Sequence, residues 1–316
     1  MTEELIHTYT EDGLLLEGVR YPARADLTIV YTHGLTSTVF RQTHVRVARG
    51  LQNAGYAVVA GNNRGTALAT PLLQRSGPRV LGGSWFERIE DAVTDIRAWM
   101  DVAAASAAKR IVLLGHSLGA IKAIRYAAET RDARLAGLVL ASPPLRGFSR
   151  PPDPALVARA SRAVDEGRAQ ELIELGAAGL AFGRLSAATV LSWASIGDIA
   201  PRLRSTDHPV LAIFGTEEAD IGGQAELDRI AELLPGRFTG TMIAGADHTY
   251  DGHEAEAAEL IAGWIGSVVT GSLSAASVAA TKNIGGDPVG RVRGILKLDR
   301  STDRAVDDLR GKSDGN

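Results

Sequence analysis

Ile111 to Leu114 are four consecutive aliphatic residues, and they run directly into Gly115-His116-Ser117-Leu118-Gly119. A run of that kind reads as a strand buried on both faces. Ala120, Ile121, Ala123, Ile124 and Ala127 then recur at helical spacing. A Gly-x-Ser-x-Gly turn between a buried strand and a helix requires a reversal so sharp that glycines must flank it, and the serine side chain is pushed into the open. A lone hydroxyl is a weak nucleophile, so the turn is chemically useful only if a base and donors for a developing oxyanion stand nearby.

Strand and helix patterns alternate on both sides of this turn. Leu5 to Tyr9 and Leu14 to Tyr21 are β-like runs joined by Glu11-Asp12-Gly13, an antiparallel opening pair. Leu27 to Tyr31 is a first buried strand, ending at Thr32-His33-Gly34-Leu35; a helix from about Thr43 to Asn53, closed by Gly55, leads to a strand at Tyr56 to Ala60. Residues 66–84 show little periodicity, after which Ile89, Ala92, Val93, Ile96 and Met100 form one helical stripe. Leu135 to Ala141 is a further strand, stopped by Pro143-Pro144. This alternation predicts a mostly parallel sheet with right-handed crossovers.

The rhythm changes over residues 145–206. Helical patterns are expected at about Ala155 to Asp165, with Asp153 and Pro154 as cap and first residue, at Ala169 to Leu175, and at Ala187 to Ser195, capped by Ser186; no strand signal interrupts them. Such an insertion is most simply a helical lid, with Phe148, Phe182, Leu191 and Trp193 as candidate pocket residues. Sheet periodicity returns at Pro209 to Gly215, followed by a helix through Leu227 and Leu234, a strand at Thr241 to Ala244 and a last helix through Ala257 and Ile265. The expected organisation is a core of residues 1–144 and 207–269, a helical cap of 145–206, and a poorly ordered tail of 270–316, rich in Gly, Ser, Ala and Asp.

Composition narrows the classes of function. With a net charge of -3 and intermixed charges there is no electrostatic reason to expect nucleic acid or an anionic membrane. The chain has no cysteine, so disulfides and thiolate chemistry are excluded. The N-terminal residues lack the apolar core of a secretory signal and no apolar run approaches a bilayer span, which leads to the expectation of a cytoplasmic protein. No phosphate-cradling loop or dinucleotide fingerprint precedes a helix, so no cofactor is expected, and the partner sought is a small-molecule substrate.

In parallel sheets chemistry collects at the loops that follow strand ends. The last sheet strand runs into Gly245-Ala246-Asp247-His248, making His248 the candidate base for Ser117. The preceding strand ends in Gly215-Thr216-Glu217-Glu218-Ala219-Asp220, a source of the carboxylate that would orient the imidazole. Backbone amides of Leu35 and Leu118 are the candidate oxyanion donors. Asp247, His248, Asp251 and His253 match no established metal-ligand spacing, and no metal is expected.

The ordered motifs His33-Gly34, Gly115 to Gly119 and Asp247-His248 resemble those of serine hydrolases of the α/β-hydrolase superfamily, over roughly Leu27 to Ser267. The resemblance implies an eight-stranded, mostly parallel sheet flanked by helices, with the lid inserted before the penultimate strand. It puts the catalytic acid three residues after the glycine closing that strand, at Glu218, where aspartate is more common; Asp220 is the second candidate. Asn62-Asn63-Arg64-Gly65 stands where many relatives have Asp-x-Arg-Gly, a departure expected to alter loop anchoring rather than chemistry. The implied activity is hydrolysis of a carboxylic ester through an acyl-enzyme on Ser117; thioester, lactone or amide cleavage would use the same groups, and a non-catalytic ligand-binding protein is the alternative of another class.

Overall fold

The computed structural model describes residues 2–24, 26–105, 110–149, 152–175 and 183–269. The expected tail and Phe182 lie outside them.

Two antiparallel strands, β1 (Glu4–Tyr9) and β2 (Leu15–Tyr21), open the chain, and β3 (Leu27–Thr32), α1 (Gln42–Asn53) and β4 (Ala57–Gly61) follow. Two three-residue strands, β5 (Thr70–Leu72) and β6 (Val80–Gly82), precede α2 (Ala92–Ala104). The central unit is β7 (Arg110–His116), α3 (Leu118–Thr130) and β8 (Leu135–Ala141). Next come α4 (Leu145–Ser149), α5 (Pro154–Asp165), β9 (Leu172–Glu174), β10 (Arg184–Ser186) and α6 (Ala187–Ala194). The chain then returns to the sheet with β11 (Val210–Gly215), α7 (Gln224–Leu233), β12 (Phe238–Ile243) and α8 (Glu254–Trp264).

Eight of these strands form one sheet in the order β1-β2-β4-β3-β7-β8-β11-β12. The β1–β2 and β2–β4 pairs are antiparallel and the remaining pairs parallel, as the strand–helix alternation predicts. Alternation along β7 explains why its aliphatic run is continuous. Ile111 and Leu113 join a cluster with Trp99, Ile121 and Ile124 of α2 and α3, whereas Val112 and Leu114 join one with Leu51, Ile261 and Trp264 of α1 and α8. Both faces of the sheet are therefore core, and no position from Ile111 to Leu114 can be polar without cost.

Two expectations are corrected. Residues 169–175 are not a helix: Leu172–Glu174 is a strand paired antiparallel with Arg184–Ser186. Its alternation of half-buried, buried and exposed residues buries only Ile173 completely, a period-two pattern that three residues are too few to announce. Residues 66–84 likewise contain the β5–β6 hairpin. By contrast, Asp153 and Ser186 accept hydrogen bonds from Ala155 N and Thr189 N as helix caps.

The reversal between β7 and α3 depends on close backbone contact. A Cβ on Gly115 would lie 2.3 Å from Gly119 O, and one on Gly119 would lie 2.6 Å from Thr32 O and 2.7 Å from His33 O. These neighbours are backbone and cannot give way. Gly119→Ala is therefore expected to destabilise the protein by about 1–3 kcal/mol, measured by chemical denaturation; unchanged stability would show that strand and helix are not held at this distance.

Candidate active site

Ser117 occupies the turn with φ 55 and ψ -125. A non-glycine residue there carries strain of order 1–3 kcal/mol. The conformation is held by Ser117 N donating to Ala141 O at 2.8 Å and Ala120 N donating to Ser117 O at 2.8 Å. The hydroxyl is thus presented by a frame that the nucleophile does not itself stabilise.

The structure brings three of the residues singled out in the sequence into one hydrogen-bonded row. Ser117 Oγ lies 2.9 Å from His248 Nε2, and His248 Nδ1 lies 2.7 Å from Glu218 Oε2. His248 comes from the loop after β12 and Glu218 from the loop after β11, so neighbouring strand ends deliver both. Since Glu218 can only accept when ionised, Nδ1 carries the ring hydrogen and Nε2 is left as the acceptor facing the serine. Asp220 lines the adjoining pocket, and its carboxylate has no hydrogen bond with His248.

Glu218 is 1% exposed, and its other oxygen is occupied. Oε1 accepts from Gly215 N at 2.6 Å and from Ser142 Oγ at 2.7 Å. Tyr250 Oη lies 2.8 Å from Ser142 Oγ and donates to Ile213 O at 3.0 Å. Sequence reasoning missed Ser142 and Tyr250; a polar residue directly after β8, and a tyrosine two positions past the histidine, were the available signals. Three groups therefore hold a carboxylate that burial would otherwise penalise.

Further imidazoles surround the row. His116 Nε2 donates to His248 O at 2.7 Å, and the two ring centroids are 5.2 Å apart. Its Nδ1 is buried without a partner among the described residues. His44 lies 5.3 Å from His116, centroid to centroid. His44 Nδ1 is 2.5 Å from Tyr31 Oη and its Nε2 is 2.8 Å from Ser37 Oγ. Burial lowers His33 and His44 to about 3 and lowers His116 well below the usual imidazole range. These rings stay neutral and place no positive charge of their own beside the Ser117–His248–Glu218 row.

The pocket beside Ser117 has a volume of about 680 Å³, within the range of small-molecule sites. Leu35, Pro144, Phe148, Trp193 and Ile221 supply its apolar wall, and Phe148 meets Trp193 edge to face at 5.8 Å. Leu191 is half-buried against the cap's own core rather than in this wall. Leu35 and Leu118 both line the pocket, and among the described residues neither amide has an acceptor. Asn62 Oδ1 accepts from Thr38 Oγ1 and Val39 N, both at 2.9 Å, so this residue does anchor the neighbouring loop. Asp247 closes its own turn by accepting from Thr249 N and Asp251 N, and no group of three or more His, Asp or Glu among the described residues could hold a metal ion.

Comparison with known proteins bears on the fold. A family model described as serine aminopeptidase, S33, matches residues 23–173. Among solved structures, Est1E from Butyrivibrio proteoclasticus is 17% identical with a TM-score of 0.62, over 84% of this chain and 99% of its own. The α/β-hydrolase GrgF from Penicillium sp. sh18 is 13% identical with a TM-score of 0.67, over 85% and 100%. The Pyrococcus furiosus esterase Pf2001 is 18% identical with a TM-score of 0.57, over 85% and 92%. No curated protein sequence matches the chain. The chain has the α/β-hydrolase fold and is similar to esterases and other hydrolases that share it.

The neutral imidazoles have a consequence for stability. Each takes a proton in the unfolded chain as pH falls through about 6.5, while in the folded chain it stays neutral. The unfolded state then binds more protons, so stability is fully present above about pH 6.5 and is lost as pH falls toward the folded values, by about 1.4 kcal/mol per pH unit for each such ring. Denaturation midpoints should fall steadily from pH 6.5 to 4, and His44→Gln should flatten that slope by about one proton. An unfolding free energy that does not change over this interval contradicts the assignment.

Proposed function

We propose that the protein is a serine hydrolase that cleaves a carboxylic ester of a small organic substrate. The observation that carries this reading is the hydrogen-bonded row Ser117–His248–Glu218 opening onto an apolar pocket. Ser117 Oγ attacks the ester carbonyl carbon while its proton passes to His248 Nε2, and the carbonyl π pair moves onto oxygen, where the Leu35 and Leu118 amides would receive it. The intermediate collapses with cleavage of the bond to the alcohol oxygen, which takes the proton from His248. Water then adds to the acyl-enzyme by the same route, releasing the carboxylic acid and restoring the serine. Glu218 holds the imidazole in the required tautomer and stabilises it when charged.

Residues 145–206 act in this reading as a lid, because Phe148 and Trp193 come from that segment and face the same pocket as Ser117. Among the described residues no helix is long and apolar enough to cross a membrane, which is consistent with a small-molecule substrate reached from water. Esterase neighbours favour the ester, and Est1E has also been solved with ferulic acid bound. The serine aminopeptidase match favours a second reading, amide cleavage by the same groups.

Matched p-nitrophenyl esters and p-nitroanilides of short acyl groups separate the two readings: the ester is expected to turn over faster by more than the difference in intrinsic reactivity, and preferential anilide cleavage would transfer the assignment to the amide. Ser117→Ala should reduce turnover by at least ~10⁴-fold without altering the circular dichroism spectrum. Retention of activity in that variant would falsify the nucleophile assignment. Glu218→Gln should lower kcat by about 10⁴-fold, whereas Asp220→Asn should leave it within about threefold. The reverse order would make Asp220 the acid.

A further inference from the structure

Beneath the site lies a buried ion pair that the catalytic row does not use. Lys122, in the second turn of α3, is 1% exposed, and Glu87 is 2% exposed. The Lys122 ammonium lies 2.5 Å from Glu87 Oε2 and 3.0 Å from Asn63 Oδ1. Glu87 Oε1 has no partner among the described residues. Such a pair is poor evidence of stability, because desolvation offsets its attraction and apolar replacements often do as well. A role in orientation accounts for it better, and its contacts can be followed outward.

The ammonium can face only an oxygen, and Gly65 N donates to the same Asn63 Oδ1 at 3.0 Å, so the two together fix which way the Asn63 amide points. Asn63 Nδ2 is then directed at Thr32 Oγ1 and His33 O, both at 3.2 Å. The backbone N–H of Asn63 donates to His33 Nε2 at 3.2 Å. Since that nitrogen accepts, the neutral ring carries its hydrogen on Nδ1, which donates to Gly34 O at 2.8 Å. Burial and then the Lys122 charge keep this ring neutral. In a trans peptide the carbonyl and the next N–H point in opposite directions. Tethering Gly34 O therefore sends the Leu35 N–H the other way, and both residues line the pocket with Ser117. The loop touches the nucleophile closely enough that a Cβ on Gly34 would lie 2.7 Å from Ser117 Cβ.

We propose that Glu87, Lys122, Asn63 and His33 form a buried relay that aims the Leu35 amide at the oxyanion of the substrate, with Lys122 and Glu87 as positioning residues. The inference rests on the reading of Ser117 as nucleophile and specifies what supports its oxyanion donor. A relay of this kind affects the transition state and leaves ground-state binding alone.

The test replaces both charges together, Lys122→Met with Glu87→Met, so that no lone buried charge remains. Asn63→Ala, which leaves the ion pair in place, is the second variant should the first fail to fold. Each is expected to lower kcat by about 10- to 100-fold with KM within about threefold, as for a weakened oxyanion donor. An aryl trifluoromethyl ketone, whose adduct with Ser117 carries an oxyanion, should bind more weakly by the same factor as kcat/KM falls, while the product carboxylate binds as before. Unchanged kcat in a folded variant, or equal weakening of ketone and carboxylate, overturns the relay and leaves the catalytic reading standing. Ester turnover that survives Ser117→Ala overturns the catalytic reading, and the relay with it.

Discussion

The hydrogen bond between Ser117 and His248 joins residues 131 apart in sequence, and its 2.9 Å length is set by the sheet rather than by either side chain. The strands β7, β8, β11 and β12 are neighbours and parallel, so their carboxyl ends and the loops that follow lie along one rim. The serine loop, the carboxylate loop and the histidine loop are three of those loops. The contacts that hold them are backbone ones: Ser117 N to Ala141 O, Ser142 N to Ile213 O, and Thr216 N to Ile243 O, between 2.8 and 3.0 Å. Each ties the residue after one strand to the end of the next, so the rim is stitched laterally before any side chain contributes.

On that rim the chemistry is set by burial. Glu218 is inaccessible but fully hydrogen-bonded, and His116 and His44 are buried as neutral rings. His44, His116 and His248 all line the pocket, and of the three it is His248, with its side chain 31% exposed, whose ring is hydrogen-bonded to Ser117. In the proposed reading a proton released by Ser117 passes to His248, with Glu218 already placed to stabilise the resulting charge. In the proposed relay the oxyanion side is arranged by a different set of groups, running from Glu87 and Lys122 through Asn63 and His33 to the Gly34 carbonyl. In that reading nucleophile and oxyanion donor draw on different sets of buried groups.

Much of this was legible in the sequence for identifiable reasons. The β7 run and the helical stripe after it are local patterns, and a serine between two closely set glycines marks the reversal without long-range information. His248 follows from the rule that chemistry gathers after strand ends, which also points to a carboxylate in the loop after β11, whereas the choice of Glu218 comes from the resemblance to serine hydrolases. What stayed hidden depends on contacts that no local pattern carries. The strands β5, β6, β9 and β10 have three residues each, too few for a period-two signal to stand out from the surrounding loops. Ser142 reaches a carboxylate 76 residues away with Tyr250 beside it, and Lys122, a polar residue in a largely apolar helix, has its partner 35 residues earlier.

The most direct measurement of the central claim is the site of covalent labelling by a fluorophosphonate, which phosphonylates an activated serine and expels fluoride. Intact-mass and peptide mass spectrometry of the full chain should find one adduct, on Ser117, formed rapidly in the wild-type protein and much more slowly after His248→Ala. No adduct, an adduct on another residue, or labelling at the same rate without the imidazole would contradict the account.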